Sequence, residues 1–317
     1  MSPLAQSIRS SFAYLQWKCC LSPRLGGRSD HNNKAVPVKG ASMTRLEHLT
    51  DLVENPISRR QFAKNVGLTG AGIAATSVLA STVVGPFITE AQATTTITDN
   101  DILNFALNLE YLEAEFYTCA VTGQTITQSG IIPGSASTGP TTGCQKVNFS
   151  ATAEVNAIAH QIMHDEQQHV IFLRAALGAA AVKKPTINLD ALGFGFENPT
   201  AFLKLARDFE DVGVSAYGGA APLIQSHAVL AAAARIALTE AYHAGTVRTK
   251  MILQGIQEPP IDGKDIPPTE SHFFPVTSKG LAIVRSASEV LHIVYAGGTC
   301  SGGFFPDGFN GKIKCAS

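Results

Sequence analysis

Apolar positions recur at helical spacing along five stretches of the chain. In the first, Ile102, Phe105, Ala106, Leu109 and Phe116 share a face, with Asp99 or Thr98 available as cap. This pattern predicts a helix ending at about Thr122, then a loop over 123–149 rich in Gly, Ser, Thr and Pro. A second helix is expected over about 151–177, stopped by Gly178. Asn198-Pro199 marks the third start, with Asn as cap and Pro at the first helical position. That helix ends by Gly218-Gly219. Ser226 opens a fourth, which runs to about Gln254. Residues 256–277 form a Pro-rich connection. Ser286-Ala-Ser-Glu289 reads as a capping box for a short fifth helix ending near Ala296, before a Gly-rich tail. The pattern predicts an all-α protein. An antiparallel four-helix bundle would occupy 94–255, with one long crossover between its second and third helices. An extension over 256–317 would pack against it with the short helix.

The chain before residue 94 reads differently. Residues 1–42 carry Arg9, Lys18, Arg24, Arg28, Lys34 and Lys39 against a single acid, Asp30, and show no apolar period. Residues 1–57 are therefore expected to be a disordered leader, with Met43 as an alternative start. Residues 58–64, Ser-Arg-Arg-Gln-Phe-Ala-Lys, resemble the twin-arginine export motif, with Ala63 where Leu is usual. An uncharged run over 65–89 follows, then the small-residue triplet Ala91-Gln92-Ala93. Basic region, apolar region and cleavage site occur in export order over 58–93. The expectation is delivery by the twin-arginine machinery to the periplasm or an equivalent exported compartment. Cleavage after Ala93 would leave no stable membrane span. An uncleaved anchor is the alternative, since the run is long enough to span.

Composition narrows the function. Net charge is −1, with 45% apolar residues, which supports a full core and argues against nucleic-acid binding. There is no Gly-x-Ser-x-Gly, no phosphate-binding loop ending in Lys-Ser/Thr and no Cys-x-x-Cys.

The informative chemistry is written twice. Glu166-Gln-Gln-His169 lies in the second helix and Glu240-Ala-Tyr-His243 in the fourth. A Glu and a His three apart share a helix face and can hold one ion. With 14 Glu and 9 His in the chain, chance supplies about 0.4 such pairs. The first and third helices carry Glu110 and Glu210, each with a tyrosine seven residues on, Tyr117 and Tyr217. Arg174 and Arg248 follow the two histidines at equal offsets. Such duplication predicts a pseudo-twofold bundle. Four buried carboxylates would not pack together unaided, whereas two divalent cations would neutralise them.

Glu113 competes with Glu110, but the repeat aligns Glu210 with Glu110 and Gly213 with Glu113. Glu110 is therefore the expected ligand and Glu113 an auxiliary candidate. Glu115 falls on the opposite, polar side and is expected to be solvated. A third pair, Glu289 and His292, is assigned a structural role because Glu289 already serves as a helix cap. His160 and His164 lie off the inward face and are read as surface or interhelix hydrogen bonders. Tyr117 and Tyr217 are either core tyrosines with satisfied hydroxyls or donors and one-electron relays beside the metals.

One Glu from each of two helices, plus Glu-x-x-His from each of the other two, resembles the ligand set of the ferritin-like dinuclear metal proteins. The run LNFALNLEYLEAEFY (103–117) is similar to the branch containing plant desiccation-related proteins and their exported bacterial relatives. The resemblance spans roughly 98–300. It implies a metal site built from Glu110, Glu166, His169, Glu210, Glu240 and His243. Oxygen and nitrogen donors suit two iron or two manganese ions, which cycle by two electrons with dioxygen or peroxide. The expected function is an exported iron oxidase or peroxidase-like stress protein. The alternatives are a dimanganese catalase-like enzyme and a non-enzymatic desiccation-protective protein with a structural metal site. A homo-oligomer is compatible with this reading, although the long loops and C-terminal segment would disturb a ferritin-type shell.

Four cysteines follow the cleavage site, an even number suited to an oxidising compartment. Of the three pairings, Cys119–Cys144 would close the loop after the first helix, and Cys300–Cys315 would staple the Gly-rich tail. The competing readings are free thiols or metal ligation by sulfur, for which the spacing fits no zinc pattern.

Overall fold

The computed structural model describes residues 97–134 and 138–316. The expectations for the leader, the twin-arginine motif and the cleavage site lie outside the described residues. Seven elements carry the description: α1 (Asp99–Thr122), β1 (Thr141–Thr142), α2 (Ala153–Leu177), β2 (Ile187–Asn188), α3 (Pro199–Ala220), α4 (His227–Leu253) and α5 (Ala287–Val294). No described helix is long and apolar enough to cross a membrane.

Four of the five described helices start at a side-chain cap. Thr98 accepts from the Asp101 amide while Asp101 returns a bond to the Thr98 amide, so Thr98 rather than Asp99 caps α1. Asn198 accepts from the amides of Thr200 and Ala201 ahead of Pro199. Ser226 caps α4, and Ser286 with Glu289 forms the capping box of α5. Asp99 leaves its own helix and accepts from the amides of Gln225 and Ser226, so the starts of α1 and α4 lie together.

Cross-helix contacts fix the topology. Thr118 meets Gln167 while Tyr111 meets Arg174, so α1 and α2 are antiparallel. Tyr117 meets Glu210 while Tyr217 meets Glu110, which makes α1 and α3 antiparallel as well. Residues 178–198 must therefore join two parallel helices, and this long crossover carries β2. Its two residues pair in parallel with β1 from the loop after α1.

The core is continuous across the helices and the extension. Phe116 lies at its centre, with ring centroids 5.1–5.4 Å from Phe196, Phe202 and Phe209. Phe304 and Phe309 of the tail reach Phe209 and Phe105, at 5.0 and 5.4 Å. Tyr295 ties the tail down by donating to the Lys314 carbonyl and accepting from the Phe309 amide. Both disulfides have the expected pairing, Cys119–Cys144 and Cys300–Cys315.

Two expectations for α1 need correction. Its buried surface is not a single stripe, because nearly every residue from Ile102 to Val121 is buried, while Ala106 is only half-buried. Glu115 is not solvated. It is fully buried, 3.1 Å from Lys184 Nζ, and accepts from the Thr141 hydroxyl and the Ile126 amide. The cause is the paired loops around β1 and β2, which cover the face that a free helix would show to water. Gly139 lets them close, because a Cβ there would sit 2.3 Å from the Pro185 backbone.

Candidate metal centre

Each bundle helix delivers its share of the centre from mid-length, where backbone hydrogen bonds hold it most firmly. Glu110, Glu166, His169, Glu210, Glu240 and His243 are all buried. They converge as two overlapping groups. One is Glu110, Glu166, His169 and Glu240; the other is Glu166, Glu210, Glu240 and His243. Within each group, one donor atom from every residue lies within 4.8 Å of the others. Glu166 and Glu240 belong to both, so the two Glu-x-x-His glutamates lie between the groups and Glu110 and Glu210 lie at their ends.

Both histidines turn Nδ1 toward the carboxylates. His169 Nδ1 is 3.1 Å from Glu110, 3.3 Å from Glu166 and 3.3 Å from Glu240. His243 Nδ1 is 3.0 Å from Glu166 and 3.4 Å from Glu210. One Nδ1 carries at most one proton, so it cannot satisfy two or three carboxylates at once. The shortfall is visible in the buried atoms that lack a hydrogen-bond partner: Glu166 Oε1, Glu210 Oε2, both Glu240 oxygens and His243 Nδ1. Orphaned acceptors converging on two points are what a pair of cations would satisfy.

The electrostatics agree. Burial, reinforced by neighbouring carboxylates, pushes Glu113 and Glu240 well above the usual carboxylate range. Burial also pushes Glu110 up to about 7 and raises Glu210. It acts on Glu166 too, but His169 and His243 outweigh it and hold that carboxyl low. Burial opposes charge on His243, yet Glu210 and Glu166 push it up to about 12. Crowded negative charge must be met by protons or by cations, and two divalent ions match the four glutamates.

The tyrosines cross over. Tyr117 on α1 donates to Glu210 on α3 at 2.5 Å, and Tyr217 on α3 donates to Glu110 on α1. Burial and the neighbouring glutamates raise both phenols well above their usual value, so they stay protonated as donors. The repeated arginines also keep the symmetry. Arg174 donates to Tyr111 at 2.6 Å and Arg248 to Asp211 at 2.6 Å, each partner directly following a Glu of the centre.

Other residues fall where sequence reasoning gave less. Asp165 was missed. Its Oδ2 is 3.2 Å from His243 Nε2, a contact that orients the ring, and its only signal was its place before Glu166. Asp211 was also missed; it joins Arg248 to Arg207, whose Nε is 2.9 Å away. Glu113 is buried beside the centre but outside both groups. Glu289 serves Ser286 and Lys264, and His292 is exposed. His160 and His164 are exposed on α2.

An all-helical bundle with four glutamates and two histidines gathered in its interior is a ferritin-like architecture, with side chains that can hold metal ions. Residues 98–252 match the ferritin-like domain family, a span that contains all six residues and both tyrosines. No curated protein matches the chain.

Proposed function

We propose that the protein is an exported dinuclear metal protein whose two ions, iron or manganese, react with dioxygen or hydrogen peroxide. The observation that carries this reading is the sharing of Glu166 and Glu240 between two donor groups whose buried oxygens lack partners. Glu110 with His169 would hold one ion, Glu210 with His243 the other, and Glu166 with Glu240 would lie between them. Two such ions held close together supply a reversible two-electron couple. The chain's own part is positioning. Tyr217 and Tyr117 fix Glu110 and Glu210 by their hydroxyl bonds, and Asp165 fixes the His243 ring. Arg174 and Arg248 brace the helix turns beside the glutamates. Two disulfides suit an oxidising compartment, and the twin-arginine motif at 58–64 offers a route for protein folded and loaded before export.

Metal content decides the reading. Protein refolded with Fe(II) or Mn(II) should hold about two ions per chain. His169→Ala with His243→Ala should remove most of them, and Glu289→Ala should remove none. Loaded protein should consume hydrogen peroxide and metal-free protein should not. Equal metal loss from Glu289→Ala, or full occupancy in the double histidine variant, would overturn the assignment. Loaded protein inert toward both oxidants would leave a structural metal site. Metal analysis of protein from its own host separates iron from manganese.

A further inference from the structure

A cavity of about 340 Å³ opens beside the centre, on the side formed by α1, α3 and α5. Its walls are apolar: Leu109 and Leu112 from α1, Phe209 and Val212 from α3, Val294 from α5 and Phe304 from the tail. No residue of α2 or α4, the helices that carry the two histidines, lines it. Glu113 and Gly213 also line it, and a Cβ built on Gly213 would stand 2.6 Å from Glu240 Oε2 and 3.0 Å from Glu113 Oε1. The cavity is thus one carboxylate away from a glutamate shared by both donor groups. The exposed His292 and half-buried Ile261 also border it, so it communicates with solvent.

The chemistry of the walls narrows what can enter. No lysine or arginine lines the cavity to receive an anion. Of its other acids, Asp262 is clasped by both ends of the Arg285 guanidinium, and Asp208 accepts from Arg207. Leucine, valine and phenylalanine walls cannot replace the water around an ionised group. At about 30 Å³ for each water-sized group, the volume holds about eleven non-hydrogen atoms. This is at the lower end of small-molecule pockets.

We propose that this cavity binds an uncharged, mainly apolar organic molecule of about that size, with one end against Glu113 and Gly213. Binding in this cavity does not rest on the dinuclear reading. Gly213 is the residue that permits the arrangement. The repeat places it opposite Glu113, and a second glutamate there would collide with the Glu240 and Glu113 carboxylates.

The test is calorimetric titration of purified protein with 1-decanol, which has the matching number of non-hydrogen atoms, alongside decanoate and decylammonium. Metal content is measured on the same samples. One decanol should bind per chain, at least tenfold tighter than either charged analogue. Val212→Phe, which fills the inner part, should weaken binding at least tenfold while metal content stays at the wild-type level. If that variant does not fold, Ile261→Trp at the rim carries the same expectation. Absence of decanol binding, undiminished binding in the folded variants, or tighter binding of a charged analogue would each overturn the proposal. Wild-type protein that binds decanol but no metal would support the cavity and sink the dinuclear reading, so the two fail separately.

Discussion

Replacing Gly213 by Ala should reverse the usual sign of a glycine substitution, and only when metal is present. In a helix interior, Ala is favoured over Gly by about 1 kcal/mol. At this position the new Cβ would lie 2.6 Å from Glu240 Oε2 and 3.0 Å from Glu113 Oε1. Ordinary contact begins near 3.4 Å, so Glu240 must withdraw by about 0.8 Å and Glu113 by about 0.4 Å. Without metal, the Glu240 carboxylate is the free end of a side chain and can turn. The variant should then unfold within about 1 kcal/mol of wild type. Glu240 belongs to both donor groups, so on the dinuclear proposal its displacement would reach both ions. Perturbing the supporting shell of a metal site costs 10–100-fold in affinity, or about 1.4–2.7 kcal/mol. The rise in Tm on adding Fe(II) or Mn(II) should shrink by about 3–10 °C in a domain of this size. Thermal unfolding with and without metal, together with competition against a coloured chelator, measures both quantities. A Gly213→Ala variant that keeps wild-type affinity and the full metal-induced rise would refute the placement of Glu240 between the ions. A metal-free variant already crippled would refute the claim that its carboxylate can yield.

Three further outcomes are expected. Lys184→Met leaves the buried Glu115 without its ion-pair partner and should cost about 3–5 kcal/mol in urea unfolding, whereas pairing it with Glu115→Leu should recover most of the loss. Replacing Cys119 and Cys144 by Ser releases a loop with a sequence separation of 25 and should cost about 3.5 kcal/mol, read from the shift in denaturation midpoint. Asp262 is held below the usual carboxylate range by its Arg285 hydrogen bonds, which outweigh burial. Its contribution is therefore complete above its unfolded value near pH 3.9 and is lost as pH falls through the lower folded value. Asp262→Asn should flatten the acid limb of stability against pH between about 5 and 2, and an unchanged limb would show that other carboxylates set it.

The bundle was legible because its punctuation is local. Thr98, Asn198-Pro199, Ser226 and Ser286 act within one turn of themselves, and four of the five described helices begin where such a residue stands, while Thr152 at the start of α2 makes no side-chain cap bond. The six residues that converge were legible because they repeat; Glu-x-x-His twice, each preceded by a helix with a Glu and a Tyr seven residues on, needs no knowledge of depth. What escaped depends on distant chain. Glu115 looked wet because amphipathic reasoning gives a helix one dry face, and nothing near 115 announces that Thr141 and Lys184 will cover the other. Asp165 and Asp211 have no twin, since Thr239 and Tyr111 occupy the matching positions. That Glu166 and Glu240, rather than Glu110 and Glu210, lie between the two groups is a statement about position along the bundle axis, which residue spacing alone does not contain.

The places where the repeat holds and where it breaks divide the labour of the interior. The two Glu-x-x-His pairs, the crossed Tyr117–Glu210 and Tyr217–Glu110 bonds and the two braced arginines are kept in duplicate. On the dinuclear proposal two like ions would need two like half-sites, so a change in one half alone would make the halves unequal. The departure at Glu113 and Gly213 lies outside the donor groups, although Gly213 abuts the Glu240 carboxylate. It places a carboxylate on α1 against bare backbone on α3, and the space that results lies on the side where Phe304 and α5 supply the outer wall. Both donor groups come from the four bundle helices, and residues 256–316 supply none of their members. The C-terminal extension matters once one side of the bundle is opened, since with Leu192 of the crossover it turns a gap between α1 and α3 into a walled cavity.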